Sequence, residues 1–367
     1  MAQERLISLD AFRGLTVAAM VLVNNPASWT FVYAPLRHAP WHGWTPTDLI
    51  FPFFLFIVGM SMALSFARRA ETGRKVGLYL KVFKRSVLLF GVGLLLHLYP
   101  RFRFATFRIP GILQRIALCF LIGALIYLNV KPKMRVVLAI LLLVLYWALL
   151  TYVPVPGYGP GILDEKGNLA GYIDSVVLPG HIYKPYFDPE GLLSSLPAMV
   201  TLLLGSLAGD WLRTRNTNSR KARMMLLAGV LLTAAGLALG RYWIPINKPL
   251  WTSSYVVFTA GAALILFSLM FTLLEGSRWT GWAWPFRVLG TNAILVFAGS
   301  AIMVKTILLI KIPDAGKTVS PITWLYDHAL SPLAGPYLGS LIYPIALILF
   351  WVVLIWPLYR HKIFIKL

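Results

Sequence analysis

Ten stretches of about 20 predominantly apolar residues recur along this chain of 367 residues. A helix of that length crosses the hydrocarbon core of a bilayer, and lipid offers no partner for bare backbone amides. Each stretch is therefore predicted to be a helix. We expect an all-α polytopic membrane protein, a single bundle of about ten transmembrane helices that forms one domain over residues 1–367. The predicted spans lie near residues 12–31, 47–66, 84–99, 111–130, 134–153, 190–212, 222–243, 251–274, 286–310 and 336–359.

Composition excludes a soluble protein, because 58% of the residues are hydrophobic, 13% are charged, and the mean hydropathy is +0.73. The net charge of +21 would be compatible with binding to nucleic acid. The basic residues, however, fall between the apolar stretches instead of forming a groove or stripe, so no nucleic-acid partner is expected. The single cysteine, Cys119, lies within an apolar stretch, so an intrachain disulfide is impossible.

The basic residues alternate between the two sides of the membrane. Of the 34 Lys and Arg residues, 22 lie in the N-terminus, the C-terminal tail and the loops on their side; 11 lie on the opposite side, and Arg115 lies within a span. By the positive-inside rule both termini are cytoplasmic, and segment 154–189 is outside. A cleaved signal peptide is the alternative for the first stretch. Because Asp10 and Arg13 crowd its apolar core and no clear A-x-A site follows, we interpret it as a span.

Segment 154–189 is the longest one outside the predicted spans, and it is too short for an independent domain without disulfides or metal. Any active site must therefore be built by the helices and their outer loops. At its end, Asp188 followed by Pro189 is typical of an N-cap with proline at the first helical position. This pair predicts that the sixth span begins near residue 190.

The segment before the second span has a local signature. Thr45 is predicted to be an N-cap, Pro46 the first helical residue, and Asp48 the third position of a Thr-x-x-Asp capping box. A structural role for Asp48 is therefore available alongside a chemical one.

Two histidines, His38 and His42, precede that helix together with Trp41 and Trp44. Aromatic rings collect at the membrane–water interface, so anchoring is one interpretation of these residues. Catalysis is the other. A metal site is a weak hypothesis, because Pro40 between the histidines argues against a single helical face that presents both. No phosphate-binding loop, HExxH, Cys/His zinc spacing or GxSxG motif occurs. We expect no metal.

Charged and amide side chains within membrane segments are costly and usually mark function. Some of these side chains also have a structural explanation that needs no function. Asp10 and Arg13 can form an ion pair with each other, and Asn24 can form a hydrogen bond between helices. Arg115 can snorkel toward the membrane surface or contact Gln114. The residues of this kind are Asp10, Arg13, Asn24, Asn25, Asp48, Gln114, Arg115 and Asn292.

Nine motifs, in the same order from end to end, resemble the heparan-alpha-glucosaminide N-acetyltransferase family, which comprises a lysosomal transmembrane acetyltransferase and its bacterial relatives. They are SLDAFRGL at 8–15, VN at 23–24, HAPWHGWTPTDLIFPFFLFIVG at 38–59, RIPGILQR at 108–115, AGYID at 170–174, FDPEG at 187–191, IPINKPLWTSSYV at 244–256, GTNAILVF at 290–297 and RHKIF at 360–364.

The resemblance implies that acetyl-CoA on the cytosolic side supplies an acetyl group to the amine of a glucosamine-type sugar on the other side. It implies that His38 is the catalytic histidine and that Asn24 and Asp48 match family positions. The lysosomal relative has Asn-Gly where this chain has His42-Gly43, so His42 is the less suitable catalyst. We also expect no long N-terminal luminal extension, so lysosomal sorting and the identity of the acceptor do not carry over.

The chemistry of amide formation from a thioester fits these residues. His38 would be the base, Asp48 would orient its imidazole or hold the sugar amine, and Asn24 would donate a hydrogen bond. A covalent acetyl-histidine is an open alternative. For CoA, with its several phosphate charges, the candidate binding residues are Arg13, Arg115, Lys84, Arg85 and Asn292.

The remaining expectations concern assembly and class. We expect an integral protein of the bacterial inner membrane, embedded in lipid as a homodimer, because twofold interfaces are the commonest. A small-molecule transporter for a sugar or nucleotide sugar is the alternative function. The sequence contains no duplicated pair of broken helices to favour it.

Overall fold

A computed structural model describes residues 6–71, 75–276 and 280–365. Eight helices in this part of the chain are long and apolar enough to cross a membrane, which confirms the all-α polytopic class. They are α1 (Ile7–Asn24), α2 (Ile50–Glu71, with a 3₁₀ turn Pro46–Leu49 before it), α4 (Ile112–Asn129), α5 (Pro132–Tyr152), α7 (Ser195–Leu212), α8 (Asn218–Tyr242), α9 (Ser253–Phe271) and α14 (Pro336–Arg360).

Two predicted spans differ from these eight. At the third lies α3 (Lys75–Leu98), whose first half carries Lys81, Lys84 and Arg85, so it is long enough to cross but less apolar. The ninth is broken: α10 (Trp284–Thr291) and α11 (Ala293–Leu309) meet at Asn292 and are bent by 73°. If the bent pair is one span, nine helices in the described ranges meet the length and apolarity criteria.

Several predicted boundaries are shifted, among them the end of the first span and the start of the sixth. The first span was expected to end near residue 31, but α1 ends at Asn24, where Asn25 Nδ2 donates to the Val21 carbonyl oxygen (2.8 Å) and Pro26 follows. The sixth was expected to begin near residue 190, but α7 begins at Ser195.

The prediction that Asp188 caps the sixth span was wrong. Its carboxylate accepts two hydrogen bonds from the Arg108 guanidinium, at 2.8 and 2.6 Å, and one from the Glu190 backbone amide at 2.9 Å. Asp188 thus stabilises a short turn and binds Arg108 instead of starting a helix.

The connecting segments contain the remaining elements. Besides short 3₁₀ and π-helical turns, they are α6 (Leu169–Val177), the antiparallel pair β1 (Ile312–Asp314) and β2 (Lys317–Val319), α12 (Pro321–Leu325) and α13 (Ser331–Ala334). The strands β1 and β2 form a hairpin, and its turn contains Ala315 and Gly316, both at positive φ.

Internal contacts divide the chain into two compact units. The first comprises residues 1–38, 45–50 and 279–367; the second comprises residues 39–44 and 51–278. The single domain expected from sequence stays a prediction.

Glycines bring helix backbones close together in each unit. In the first unit, a Cβ at Gly14 of α1 would lie 1.7 Å from the Phe286 carbonyl oxygen of α10, and one at Gly290 would lie 1.9 Å from that of Asp10. In the second unit, Gly59 of α2 and Gly205 of α7 allow the same kind of contact. Side chains at these positions would force the helices apart.

Candidate active site around His38 and Asp48

His38 and Asp48 form the polar pair of the first unit that is most suited to chemistry. The Nδ1 atom of His38 lies 2.7 Å from Oδ1 of Asp48. The Asp48 side chain is 2% exposed, whereas the His38 side chain is 53% exposed. A buried carboxylate therefore holds an imidazole that remains accessible.

The turn Pro46–Leu49 fixes this carboxylate. Both hydrogen bonds of the predicted capping box are present, and Asp48 Oδ2 accepts from the Thr45 backbone amide at 3.0 Å and lies 3.1 Å from the Thr45 hydroxyl oxygen. Thr47 Oγ1 donates to the Pro35 carbonyl oxygen at 3.1 Å, and Thr45 Oγ1 donates to the Arg37 carbonyl oxygen at 2.6 Å. The two ends of the His38 loop are thereby joined. The capping box was predicted from sequence; the bond to His38 adds to it.

This geometry assigns the tautomer of His38. An ionised carboxylate only accepts hydrogen bonds, so the proton of a neutral His38 lies on Nδ1, toward Asp48. The lone pair is then on Nε2. A histidine held in this way by a carboxylate can act as a general base.

Asn24 is the exposed last residue of α1, and its side-chain amide makes no hydrogen bond to another described residue. It lines a cavity of about 230 Å³ in the first unit together with Asn25, Ser300 and Lys305. The amide is thus available to a ligand.

His42 lies in the second unit and has a different environment. Asn247 Oδ1 accepts from the Leu250 amide at 2.7 Å, so its Nδ2 is the donor, 3.2 Å from His42 Nδ1. Burial lowers the pKa of His42, although Asp164 partly opposes the shift. Both the lowered pKa and the Asn247 donor favour a neutral His42 with its proton on Nε2.

Of the predicted CoA-binding residues, Arg13 and Asn292 belong to the first unit and have partners there. Arg13 Nη1 contacts Asp10 Oδ1 at 3.1 Å and the Gly290 carbonyl oxygen at 3.3 Å, which matches the ion pair considered as an alternative. The Asn292 side chain, in a residue 1% exposed, binds the backbone of Ile363 and Ile365 at the C-terminal tail. These hydrogen bonds connect the C-terminal tail to the break between α10 and α11.

Lys84 and Arg85 lie on α3 in the second unit, and both are exposed. The Arg85 guanidinium lies 4.8 Å from the centre of the Phe120 ring. Both side chains are therefore accessible at the surface of the protein.

Arg115 is 2% exposed within the second unit. Its Nη2 donates to the Gly191 carbonyl oxygen at 3.1 Å and to Ser194 Oγ at 2.5 Å, and the guanidinium lies 5.1 Å from the centre of the Trp251 ring. Its Nε and Nη1 atoms have no hydrogen-bond partner among the described residues. Arg115 is buried but lines a cavity, whereas Arg85 is exposed.

The sequence interpretation did not select Asp174, a fully buried residue of α6. Its Oδ1 accepts from the Leu192 amide at 2.8 Å, while Oδ2 has no partner in the described part of the chain. Burial raises the pKa of Asp174 to about 7, and the nearby Asp188 adds to the shift. Asp174 belongs to the AGYID motif at 170–174, but membership of a motif does not show whether a side chain is buried.

Two groups of ion pairs in the second unit were also missed. Arg108 binds Asp188 and Glu190, which precede α7. The buried Arg135 of α5 binds Asp210 and Ser206 of α7. Asp210 within a predicted span was an available signal, because a carboxylate in a membrane helix needs a partner.

Among residues 6–71, 75–276 and 280–365, no group of three or more His, Cys, Asp or Glu side chains is placed to hold an ion.

Comparison with known proteins identifies the family. The model of the family "Heparan-alpha-glucosaminide N-acetyltransferase, catalytic" matches residues 5–247. The chain belongs to this family. The matched region includes Asn24, His38, Asp48 and Arg115, whereas Asn292 lies beyond it.

Two curated relatives extend the similarity to nearly the whole chain. The mouse heparan-alpha-glucosaminide N-acetyltransferase is 29% identical over 424 aligned residues, and the human one is 30% identical over 423. The alignments cover 99% of this chain but 61% and 60% of the relatives. The chain thus spans about three fifths of the length of these relatives.

Proposed function

We propose that this protein is a transmembrane acetyltransferase that uses cytoplasmic acetyl-CoA to acetylate the amine of a glucosamine-type sugar on the opposite side of the membrane. Family membership supports the reaction type. The observation that carries the proposal is the 2.7 Å contact between His38 Nδ1 and the buried Asp48 carboxylate.

In this proposal His38 is the base. Its Nε2 takes a proton from the sugar amine as the nitrogen attacks the thioester carbonyl carbon, and CoA leaves as the thiolate or thiol. Asp48 orients the imidazole and stabilises its protonated form, and the Asn24 amide donates to the developing oxyanion or to the acceptor. Attack by Nε2 itself, giving an acetyl-histidine, remains the alternative sequence of steps.

The CoA phosphates would be held by exposed basic groups. Lys84 and Arg85 are suited to this role, because phosphates bind strongly to cations that remain accessible. The buried Arg115 and the paired Arg13 and Asn292 are retained as weaker candidates.

Only the acetyl group needs to cross in this reaction. CoA carries phosphate charges whose passage through lipid would be expensive, whereas the acetyl group is small and uncharged in the thioester. The excess of Lys and Arg on one side favours cytoplasmic termini, an inner-membrane location, and His38 on the outer side.

The test uses sealed proteoliposomes with labelled acetyl-CoA loaded inside and glucosamine outside. Labelled N-acetylglucosamine should form outside while free CoA accumulates inside. His38→Ala should lower the rate by about 100-fold or more, whereas the matched variant His42→Asn should have a mild effect. If glucosamine accumulates inside unmodified and no CoA is released, the protein is a transporter instead.

We further propose a homodimer, since twofold interfaces are the commonest way for identical chains to associate. The mass of the protein in nanodiscs should equal that of two copies of the chain. A mass of one copy would refute this part of the proposal.

A further inference from the structure

An apolar cavity lies between α2, α7, α8 and α9 in the second unit. Its volume is about 310 Å³, and every residue that lines it is hydrophobic. On α8 the lining extends from Met224 to Leu232, which is about 12 Å at the rise of an α-helix. The hydroxyl groups of a sugar would lose their hydrogen bonds to water there without replacement. The cavity is therefore suited to a hydrocarbon chain.

Trp211, in the last turn of α7, lies at one end of this cavity. Its Nε1 donates to the Lys221 carbonyl oxygen at 3.2 Å, which joins the end of α7 to the first turn of α8. Tryptophan is enriched where membrane helices meet the lipid headgroups. Because α8 begins at Asn218 and continues as a candidate span, this end of the cavity lies at the membrane surface and the rest extends toward the interior.

Basic side chains are concentrated at the same end. Segment 211–223 contains five Lys or Arg residues and no Asp or Glu. Lys221 precedes Met224 by three residues, and Arg220 precedes it by four, so both lie on or beside the face of α8 that lines the cavity. Long side chains on a helix point toward its N-terminus, which here is the membrane surface.

The charges of Arg220 and Lys221 are not neutralised by an ion pair with any described residue. Arg213 differs, because its Nη1 lies 3.7 Å from a carboxylate oxygen of Asp210, which also binds Arg135. Two cations at the surface end of an apolar cavity are complementary to a lipid with a phosphate headgroup and no balancing positive charge. A second transmembrane helix is too wide for the cavity, since its diameter with side chains is about 10 Å.

We propose that this cavity binds one acyl chain of an anionic phospholipid, whose phosphate is held by Arg220 and Lys221. In the topology expected from the charges, the headgroup end is cytoplasmic. Anionic lipids make that surface of a membrane negative, and basic pockets between membrane helices bind their headgroups. The site is separate from the proposed acetyl transfer and does not depend on it.

The first experiment measures the preference for an anionic headgroup. Delipidated protein in detergent is titrated with phosphatidylglycerol or with phosphatidylcholine of the same acyl chains, and native mass spectrometry measures the bound lipid. Phosphatidylglycerol should bind about tenfold or more tightly, because each basic group favours an anionic lipid several-fold. Arg220→Gln combined with Lys221→Gln should bring the ratio of the two affinities close to one.

The matched control is Lys131→Gln combined with Lys133→Gln. It removes two exposed lysines at the start of α5, away from the cavity, and should leave the ratio unchanged. Equal affinities for the two lipids in the wild type would overturn the proposal, as would a preference that survives in the variant lacking Arg220 and Lys221. Millimolar glycerol 3-phosphate should not displace phosphatidylglycerol; displacement would mean that the site binds a free phosphate.

The second experiment locates the acyl chain. Phosphatidylglycerol with a diazirine in one chain is diluted into phosphatidylcholine nanodiscs, and irradiation should label Met225 and Ala228 within the tryptic peptide 224–241. Ala228→Phe fills the cavity and should reduce this labelling several-fold. Leu231→Phe, at an exposed position of the same peptide outside the cavity, should not. Label confined to position 231 would overturn the site, and a dimer that excludes the lipid would assign the cavity to a second copy of the chain.

Discussion

The carboxylate of Asp48 holds His38 Nδ1 at 2.7 Å through one oxygen, while its other oxygen accepts from the Thr45 backbone amide at 3.0 Å. One side chain thus has two roles. It completes the helix cap that positions the loop, and it fixes the tautomer of the proposed base. Variants can separate these roles, because the cap and the imidazole use different oxygens.

Asp48→Asn should abolish most turnover with a small effect on stability. An asparagine oxygen can still accept from Thr45, but its amide nitrogen would donate to His38 Nδ1 and move the imidazole proton to Nε2. We expect kcat to fall by about 100-fold or more, as when a carboxylate that orients a histidine is replaced. Steady-state kinetics and thermal melting of the same preparation measure both effects.

Thr45→Ala is the matched control. It removes a hydroxyl of the cap and should cost about 1 kcal/mol of stability, with kcat within a few-fold of wild type. If Thr45→Ala lowered kcat as much as Asp48→Asn, the role of Asp48 would be that of a cap alone.

The sequence predicted this part of the site because its signals are local. A capping box lies within four residues, and its geometry follows from the start of a helix. The partner of His38 lies only ten residues away in the chain. The apolar stretches were predicted equally well, since lipid demands helices of nearly fixed length.

Contacts between distant segments were not predictable in the same way. Arg108 and Asp188 are 80 residues apart, and the Asp-Pro pair has the composition of a helix cap, so its local pattern favoured the wrong structure. The bend at Asn292 is likewise invisible in a nearly continuous apolar stretch, because the tail backbone that the Asn292 side chain binds lies more than 70 residues later. The cavity beside Lys305 depends on how α1 and α11 pack.

Labelling of single cysteines should establish the orientation in the membrane. The exposed Lys166 is a suitable reporter for segment 154–189, which is predicted to lie outside. In a Cys119→Ala background, an impermeant maleimide applied to intact cells should label Lys166→Cys and not Asn218→Cys. Labelling at position 218 alone would reverse the proposed topology.

His42 should remain neutral with its proton on Nε2 under working conditions. Burial lowers its pKa, and the Asn247 amide donates to Nδ1, so protonation of that nitrogen is opposed. Nitrogen-15 NMR of labelled histidine measures the tautomer and the titration together. Asn247→Asp should raise the pKa of His42, because a carboxylate would accept from a protonated Nδ1. An imidazolium at His42 in the wild type at pH 7 would contradict the assignment.

Asp174 should make stability depend on pH in a direction opposite to that of an ion-paired carboxylate. In the unfolded chain its pKa is near the ordinary 3.8, whereas burial in the folded protein raises it to about 7. Between these values the folded state binds more protons than the unfolded state. The free energy of unfolding contributed by this group therefore falls as pH rises from about 4 to about 7, and then stays constant.

Asp174→Asn removes this titration while its oxygen can still accept from the Leu192 amide. We expect the variant to melt at least about 2 °C above wild type at pH 8, with the difference shrinking toward pH 5. Scanning calorimetry in one detergent at matched scan rates measures this, and Asp164→Asn, at an exposed acid of the same outer segment, is the control. A gain that is equal at pH 5 and pH 8 would mean that Asp174 is charged in both the folded and the unfolded state, because the difference depends on pH only where the two states bind different numbers of protons.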